Sequence, residues 1–139
     1  MREILFRGKR LDNGEWVEGA FLNDRDGSFY ICPAVSDITY GDNGNRRRIG
    51  CWYTVDPDTV GQFTGLYDKN GKRIFEGDIV KGLFWQGISV LGVVEFRDGA
   101  FGLRWLRGKV EEFSAFTSIC NVEYEVLGNI HDNPELLTE

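Results

Sequence analysis

Short apolar runs alternate with polar breaks along the chain, and most of the breaks centre on an Asn-Gly or Asp-Gly pair. Ile4-Leu5-Phe6 precedes Asn13-Gly14 and Trp16-Val17 follows it, while Phe21-Leu22 and Phe29-Tyr30-Ile31 bracket Asp26-Gly27. Val60, Phe63 and Leu66-Tyr67 lie before Asn70-Gly71, and Ile74-Phe75 lie after it. Asp98-Gly99 joins the run 90–96 to the run 100–105, where Phe101, Leu103 and Trp105 alternate with Ala100, Gly102 and Arg104. Period two is the signature of a half-buried strand, and both residues of each Asx-Gly pair tolerate the positive φ of a type I′ hairpin turn. Strands are further predicted over 78–84, after Glu76-Gly77, and over 122–130, where Val122, Tyr124 and Val126 alternate with Glu123 and Glu125. Helix signals are sparse. Residues 111–120 allow a helical turn or two, and Asp132-Asn133-Pro134-Glu135 has the chemistry of a helix start, which predicts one terminal turn. Residues 36–50 break the rhythm as a polar loop of a length associated with function or mobility.

Composition sharpens this reading. Glycine supplies 18 of 139 residues, nearly twice the usual share, beside ten phenylalanines and only three prolines, which suits short strands and tight turns. The formal charge is −6, and it is unevenly placed: residues 1–75 carry 11 basic and 11 acidic side chains, residues 76–139 carry 5 and 11. A surface basic all over, as duplex-DNA binding needs, is excluded, and a local nucleic-acid site belongs in the first half. Cys32, Cys51 and Cys120 form no C-x-x-C pair and are odd in number, which argues against zinc or a disulfide framework and for thiols in a reducing cytoplasm. No apolar run approaches the ~18 residues of a membrane span, and the opening Met1-Arg2-Glu3 leads into a short alternating segment without a long apolar region.

Catalytic chemistry finds little to work with. His131, the single histidine, lies in an Asn-Ile-His-Asp-Asn-Pro turn, and the paired acids Asp56/Asp58, Glu111-Glu112 and Glu123/Glu125 read as turns and solvated strand faces. No glycine cluster is followed by a helix, as a phosphate-binding loop requires, and no cofactor is expected. The distinctive charge run is Arg46-Arg47-Arg48, near Tyr40, Trp52 and Tyr53. Three arginines beside stacking-competent rings suit single-stranded nucleic acid, but a contact with acidic groups of another subunit or partner ranks ahead of it, and a solvated loop with no specific role is the plainest reading. Trp85, in Phe84-Trp85-Gln86-Gly87 at a predicted turn, is the candidate exposed aromatic of an interface.

Three segments carry a resemblance: the opening MREILFRGK, the central VGQFTGLYDKNGKRIFEGDIV over 60–80, and the closing YEVLGNIHDNPELL over 124–137. In order and spacing they resemble the YopX family of phage and prophage proteins. The resemblance implies a phage or prophage gene expressed in a bacterial cytoplasm, with no activity, cofactor or catalytic residue to transfer. The glycines of the central segment lie where the chain must reverse or kink, Gly65 closing one strand, Asn70-Gly71 turning a hairpin and Gly77-Asp78 entering the next strand, so the motif reads as scaffold. The expected fold is one all-β domain, with an N-terminal hairpin region over about 1–59 packed on an SH3-like barrel over about 60–130. The expected function is a non-enzymatic accessory protein working through protein contacts, as a homo-oligomer or with a host or phage protein. A single-stranded nucleic-acid module using Arg46–Arg48 is the alternative. No membrane role is expected.

Overall fold

The computed structural model describes residues 3–33, 38–40, 46–48, 52–84, 87–107, 112–119 and 122–137. It is all-β, with 3-10 turns as its only helical elements among those residues. Its strands are β1 (Phe6–Lys9), β2 (Trp16–Asn23), β3 (Phe29–Cys32), β4 (Ile38–Tyr40), β5 (Arg46–Arg48), β6 (Tyr53–Val55), β7 (Gly61–Tyr67), β8 (Arg73–Phe75), β9 (Asp78–Phe84), β10 (Ser89–Arg97), β11 (Ala100–Arg107), β12 (Phe113–Ala115) and β13 (Val122–Asn129). Every pairing between them is antiparallel. The chain divides into two compact units, Met1–Gln62 and Phe63–Glu139.

In the first unit the strands run β6-β3-β2-β1, and the first two residues of β7 pair with β1. The sheet curls back on itself: Arg10, just past β1, bridges Val55 of β6, and Leu11 N–H donates to the Thr54 carbonyl at 3.0 Å. Curvature encloses a small core of Val17, Ile31 and Val55, on which Phe6, Phe21, Phe29, Tyr53 and Val60 pack. Each fully buried aliphatic of this kind stabilises by about 1.5–3 kcal/mol, and the rings add edge contacts such as Phe21 to Phe29 at 5.2 Å. Gly19 is required by close approach, since a Cβ there would collide with the backbone carbonyl of Cys32. Within the segment expected as an irregular loop, β4 and β5 pair in register Ile38↔Arg48, Thr39↔Arg47 and Tyr40↔Arg46.

In the second unit β8 pairs with β7, and a five-stranded sheet runs β12-β11-β10-β9-β13. Both faces are covered. Val80, Val90, Val94, Leu103 and Trp105 form one core with Ile74, while Ile79, Leu91 and Val93 on the other face pack with Leu106, Ile130 and Leu136. Leu136 comes from the terminal 3-10 turn, Pro134–Leu137, the element expected from the Asp-Asn-Pro-Glu signal. The helical signal at 111–120 resolves into β12 and a 3-10 turn at Phe116–Ser118. Strand order brings the last strand beside β9, and among the described residues no pairing joins β12 to β13, so the half expected as an SH3-like barrel is an antiparallel sheet that does not close.

The turns differ from expectation in a regular way. Asp98-Gly99 alone is a two-residue turn with both φ positive, 51° and 81°, as type I′ requires. Elsewhere the glycine alone is left-handed. Asp24 N–H donates to the Ser28 carbonyl while Gly27 N–H donates back to Asp24, and Asp68, Lys72 and Gly71 repeat that scheme. These are three-residue loops in which a type I turn precedes a left-handed glycine. Gly65, expected to close a strand, instead lies inside β7 at φ 89°, where the β7–β8 register shifts between Phe63 and Tyr67.

Candidate functional site

Four of the six residues singled out from sequence lie on one antiparallel pair of strands, β4 and β5. Arg46, Arg47 and Arg48 constitute β5, and Tyr40 is the backbone partner of Arg46. Trp52 is half-buried just before β6, and Trp85 lies outside the described residues. Cys32 is buried and takes part in no disulfide, whereas Cys51 and Cys120 also lie outside the described residues.

A basic and aromatic cluster does form, on β1, β2 and β6. The Arg7 guanidinium lies 4.7 Å from the Trp16 ring centroid, the Lys9 ammonium 5.5 Å from the same ring, and the Arg10 guanidinium 4.0 Å from Tyr53. Cross-strand register explains it: Lys9 is directly opposite Trp16 on the neighbouring strand. Arg10 also donates twice to Asp12, from Nε at 2.9 Å and Nη2 at 2.7 Å. This fork of hydrogen bonds raises the Arg10 pKa and lowers that of Asp12. Arg7 is only 8% exposed. These cations are held by their own fold, which favours a structural duty. Sequence reading missed the cluster, although Arg7-x-Lys9 across the Asn13-Gly14 turn from Trp16 carried the signal.

The acids and amides of the central and closing motifs are equally committed. The Asp68 carboxylate accepts backbone N–H groups from Asn70 at 2.8 Å, Lys72 at 2.9 Å and Val126 at 3.0 Å, tying its own loop to β13. Burial pushes this carboxyl up, but the three N–H donors, Val126 foremost, outweigh burial and hold it below the usual carboxylate range. Asp78, 1% exposed, accepts from Phe75 N–H at 2.8 Å across the Glu76-Gly77 turn. Asn129 Oδ1 accepts from the backbones of His131 and Asp132, and Asn133 Oδ1 accepts from Asn129 N–H. Gly128 leaves room for that Asn133 side chain, which a Cβ would strike. Among the described residues, no three His, Cys, Asp or Glu side chains converge as a metal site would need.

One concave feature stands apart from these scaffolding contacts. In the second unit a groove of about 320 Å³ is lined by Lys81, Ser89, Val90, Leu91, Arg107 and Leu127. Leu91 is directly opposite Lys81 on β9 and Arg107 on β11, so the three form one row across the sheet. Two irregularities shape it. Register slips between Leu91 and Gly92 leave Leu106 as an extra residue in β11, and slips between Val126 and Gly128 leave Leu127 extra in β13. A one-residue insertion reverses the alternation beyond it, so the first bulge turns Arg107 onto the face of Lys81 and Leu91.

Comparison with known proteins supplies the lineage. The chain is similar to protein EF1440 from Enterococcus faecalis, whose crystal structure superposes with a TM-score of 0.61 at 27% identity, over 99% of this chain and 100% of that one. It is similar in fold to protein yopX from Bacillus subtilis, with a TM-score of 0.60 at 19% identity over 97% and 98% of the two chains. No curated protein matches the chain in sequence. The family model for the YopX protein matches residues 5–138, nearly the whole length, and the chain belongs to the YopX family.

Proposed function

We propose that this protein is a non-enzymatic phage or prophage accessory protein, working in the bacterial cytoplasm through contacts with another protein chain. The observation that carries the reading is the end of the β9–β10 hairpin, where Leu83 is 44% and Ile88 56% exposed on either side of the turn that contains Trp85 in sequence. Leu83 is opposite Ser89 and Ile88 opposite Phe84, so the hairpin end presents a large apolar side chain on each of its faces, which an interface explains better than solvent exposure. Family motifs whose carboxylates and amides are spent on backbone hydrogen bonds support the same view, because such groups serve the scaffold. A second copy of the chain is the first partner to consider, with a host or phage protein next.

Light scattering across a concentration series tests this. The wild-type protein is expected to self-associate, and replacing Leu83 and Ile88 together with serine is expected to shift it toward monomer without altering the far-ultraviolet spectrum. A wild-type monomer at high concentration directs the reading to a heterologous partner, captured from phage-bearing host extract and lost in the same double variant. Failure of the double substitution to affect either association overturns the assignment of this hairpin.

A further inference from the structure

We propose that the groove at the paired bulges of the second unit binds a small amphiphilic monocarboxylate. The acid group lies between Lys81 and Arg107, and the apolar portion rests on Leu91 and Leu127. This site is independent of the hairpin contact proposed above. Its volume, about 320 Å³, falls at the lower end of the range for small-ligand clefts. Its floor is apolar, since Leu91 is only 6% exposed, while Leu127, at 43%, offers an apolar wall without a covering neighbour in its own strand.

Charge sets the headgroup. Lys81 and Arg107 flank Leu91 in register, their backbones two strand spacings or roughly 10 Å apart, so both long side chains can converge on one anion above the leucine. Among the described residues Lys81 forms no ion pair, because its neighbour Glu125 is 3.6 Å from Lys69 instead. Cationic side chains are scarce here, with 5 basic against 11 acidic residues over 76–139, yet two of the five meet at this groove. Glu123 and Glu125, which follow on β13 opposite Leu83 and Lys81, add negative charge nearby and disfavour a dianion. A single carboxylate with an apolar tail is the chemistry that matches both the cationic row and the apolar floor. The bulge that places Arg107 supports the same reading, since bulges commonly re-aim side chains beside binding sites.

The test uses octanoate as probe on the full chain, followed by calorimetry and by amide-resonance shifts. Saturable one-to-one binding is expected, with shifts at Ser89, Leu91 and Leu127. Octanol and octylammonium are expected to bind at least about tenfold more weakly, as loss of one charge-assisted contact implies. Lys81→Gln and Arg107→Gln are each expected to weaken octanoate about tenfold, while Lys72→Gln, on an exposed loop of the same unit, leaves it unchanged. The double variant Lys81→Glu with Arg107→Glu is expected to prefer octylammonium, a reversal that mere unfolding does not produce. No binding up to about 5 mM overturns the proposal, as does equal affinity for octanol or indifference to both single substitutions.

Discussion

Asp68 shows how much of this fold hangs on single polar atoms. Its two oxygens take three backbone N–H groups, from its own loop and from β13, and it is 7% exposed. Removing one acceptor strands a shielded donor, so Asp68→Asn, which weakens the bond to Val126 or one of the loop bonds, is expected to cost about 1–3 kcal/mol in urea denaturation. The sign of the pH dependence follows from the lowered carboxyl pKa. A folded value below the unfolded value of about 3.9 gives stabilisation that is fully present above that value and lost as pH falls through the folded one. The stability gap between wild type and Asp68→Asn should therefore shrink as the pH is lowered from about 5 to below about 3. A gap independent of pH over that interval would show that the charge of Asp68 does not contribute. Sequence alone pointed to Asn70-Gly71 as the turn and left Asp68 unmarked, because its third donor, Val126, is 58 residues away. Gly19 was invisible for the same reason: the carbonyl it admits belongs to Cys32 on the adjacent strand.

Turns and strands were legible where a local rule decides the outcome, and less so where a neighbour does. Residues 78–84 form β9 as expected, since alternation and the preceding Glu76-Gly77 are local signals. Four Asx-Gly pairs did mark four reversals, yet only Asp98-Gly99 took the turn type that the dipeptide favours. At the others the loop is longer and an Asx side chain caps it, Asn13 at the first and Asp68 rather than Asn70 at the third. At the second the cap is Asp26, whose Oδ1 accepts Ser28 N–H at 2.9 Å, which lowers the Asp26 pKa. Two formally similar aspartates thus answer oppositely to one substitution. Asp98→Gly relieves a left-handed residue and is expected to leave thermal stability unchanged or raise it by up to about 1 kcal/mol. Asp26→Gly discards a capping bond at a residue that is not left-handed and is expected to cost about 0.5–1.5 kcal/mol. Equal responses in thermal unfolding would contradict the assignment of the two turn types. The candidate groove was wholly illegible, since nothing in Leu106 or Leu127 announces a bulge. Insertions of this kind are defined by the partner strand, and alternation arguments assume an unbroken period.

At the scale of the whole molecule, charge separates the two readings of Arg46–Arg48. The chain carries −6 overall, while its first 75 residues are balanced, so an anion approaching β5 meets no general attraction. If β5 contacts phosphates, affinity for single-stranded oligonucleotides falls steeply with salt, by about 0.7 of a logarithmic unit in salt for each phosphate neutralised. Replacing Arg46, Arg47 and Arg48 with alanine would then flatten that slope by about 2, one increment for each of three lost contacts. If β5 instead serves a protein partner, binding to an oligothymidylate at ~150 mM salt should be negligible, since even unspecific binders reach only ~10⁻⁴–10⁻⁶ M. The same triple substitution would then alter subunit association in light scattering and leave the oligonucleotide result untouched. The charge balance favours this second outcome: three arginines in one short strand suit acidic groups presented by another chain, where pairing is local and needs no extended basic field. Oligonucleotide binding that survives ~150 mM salt, tolerates any base sequence and vanishes in the triple variant would reverse that order and make β5 a nucleic-acid contact.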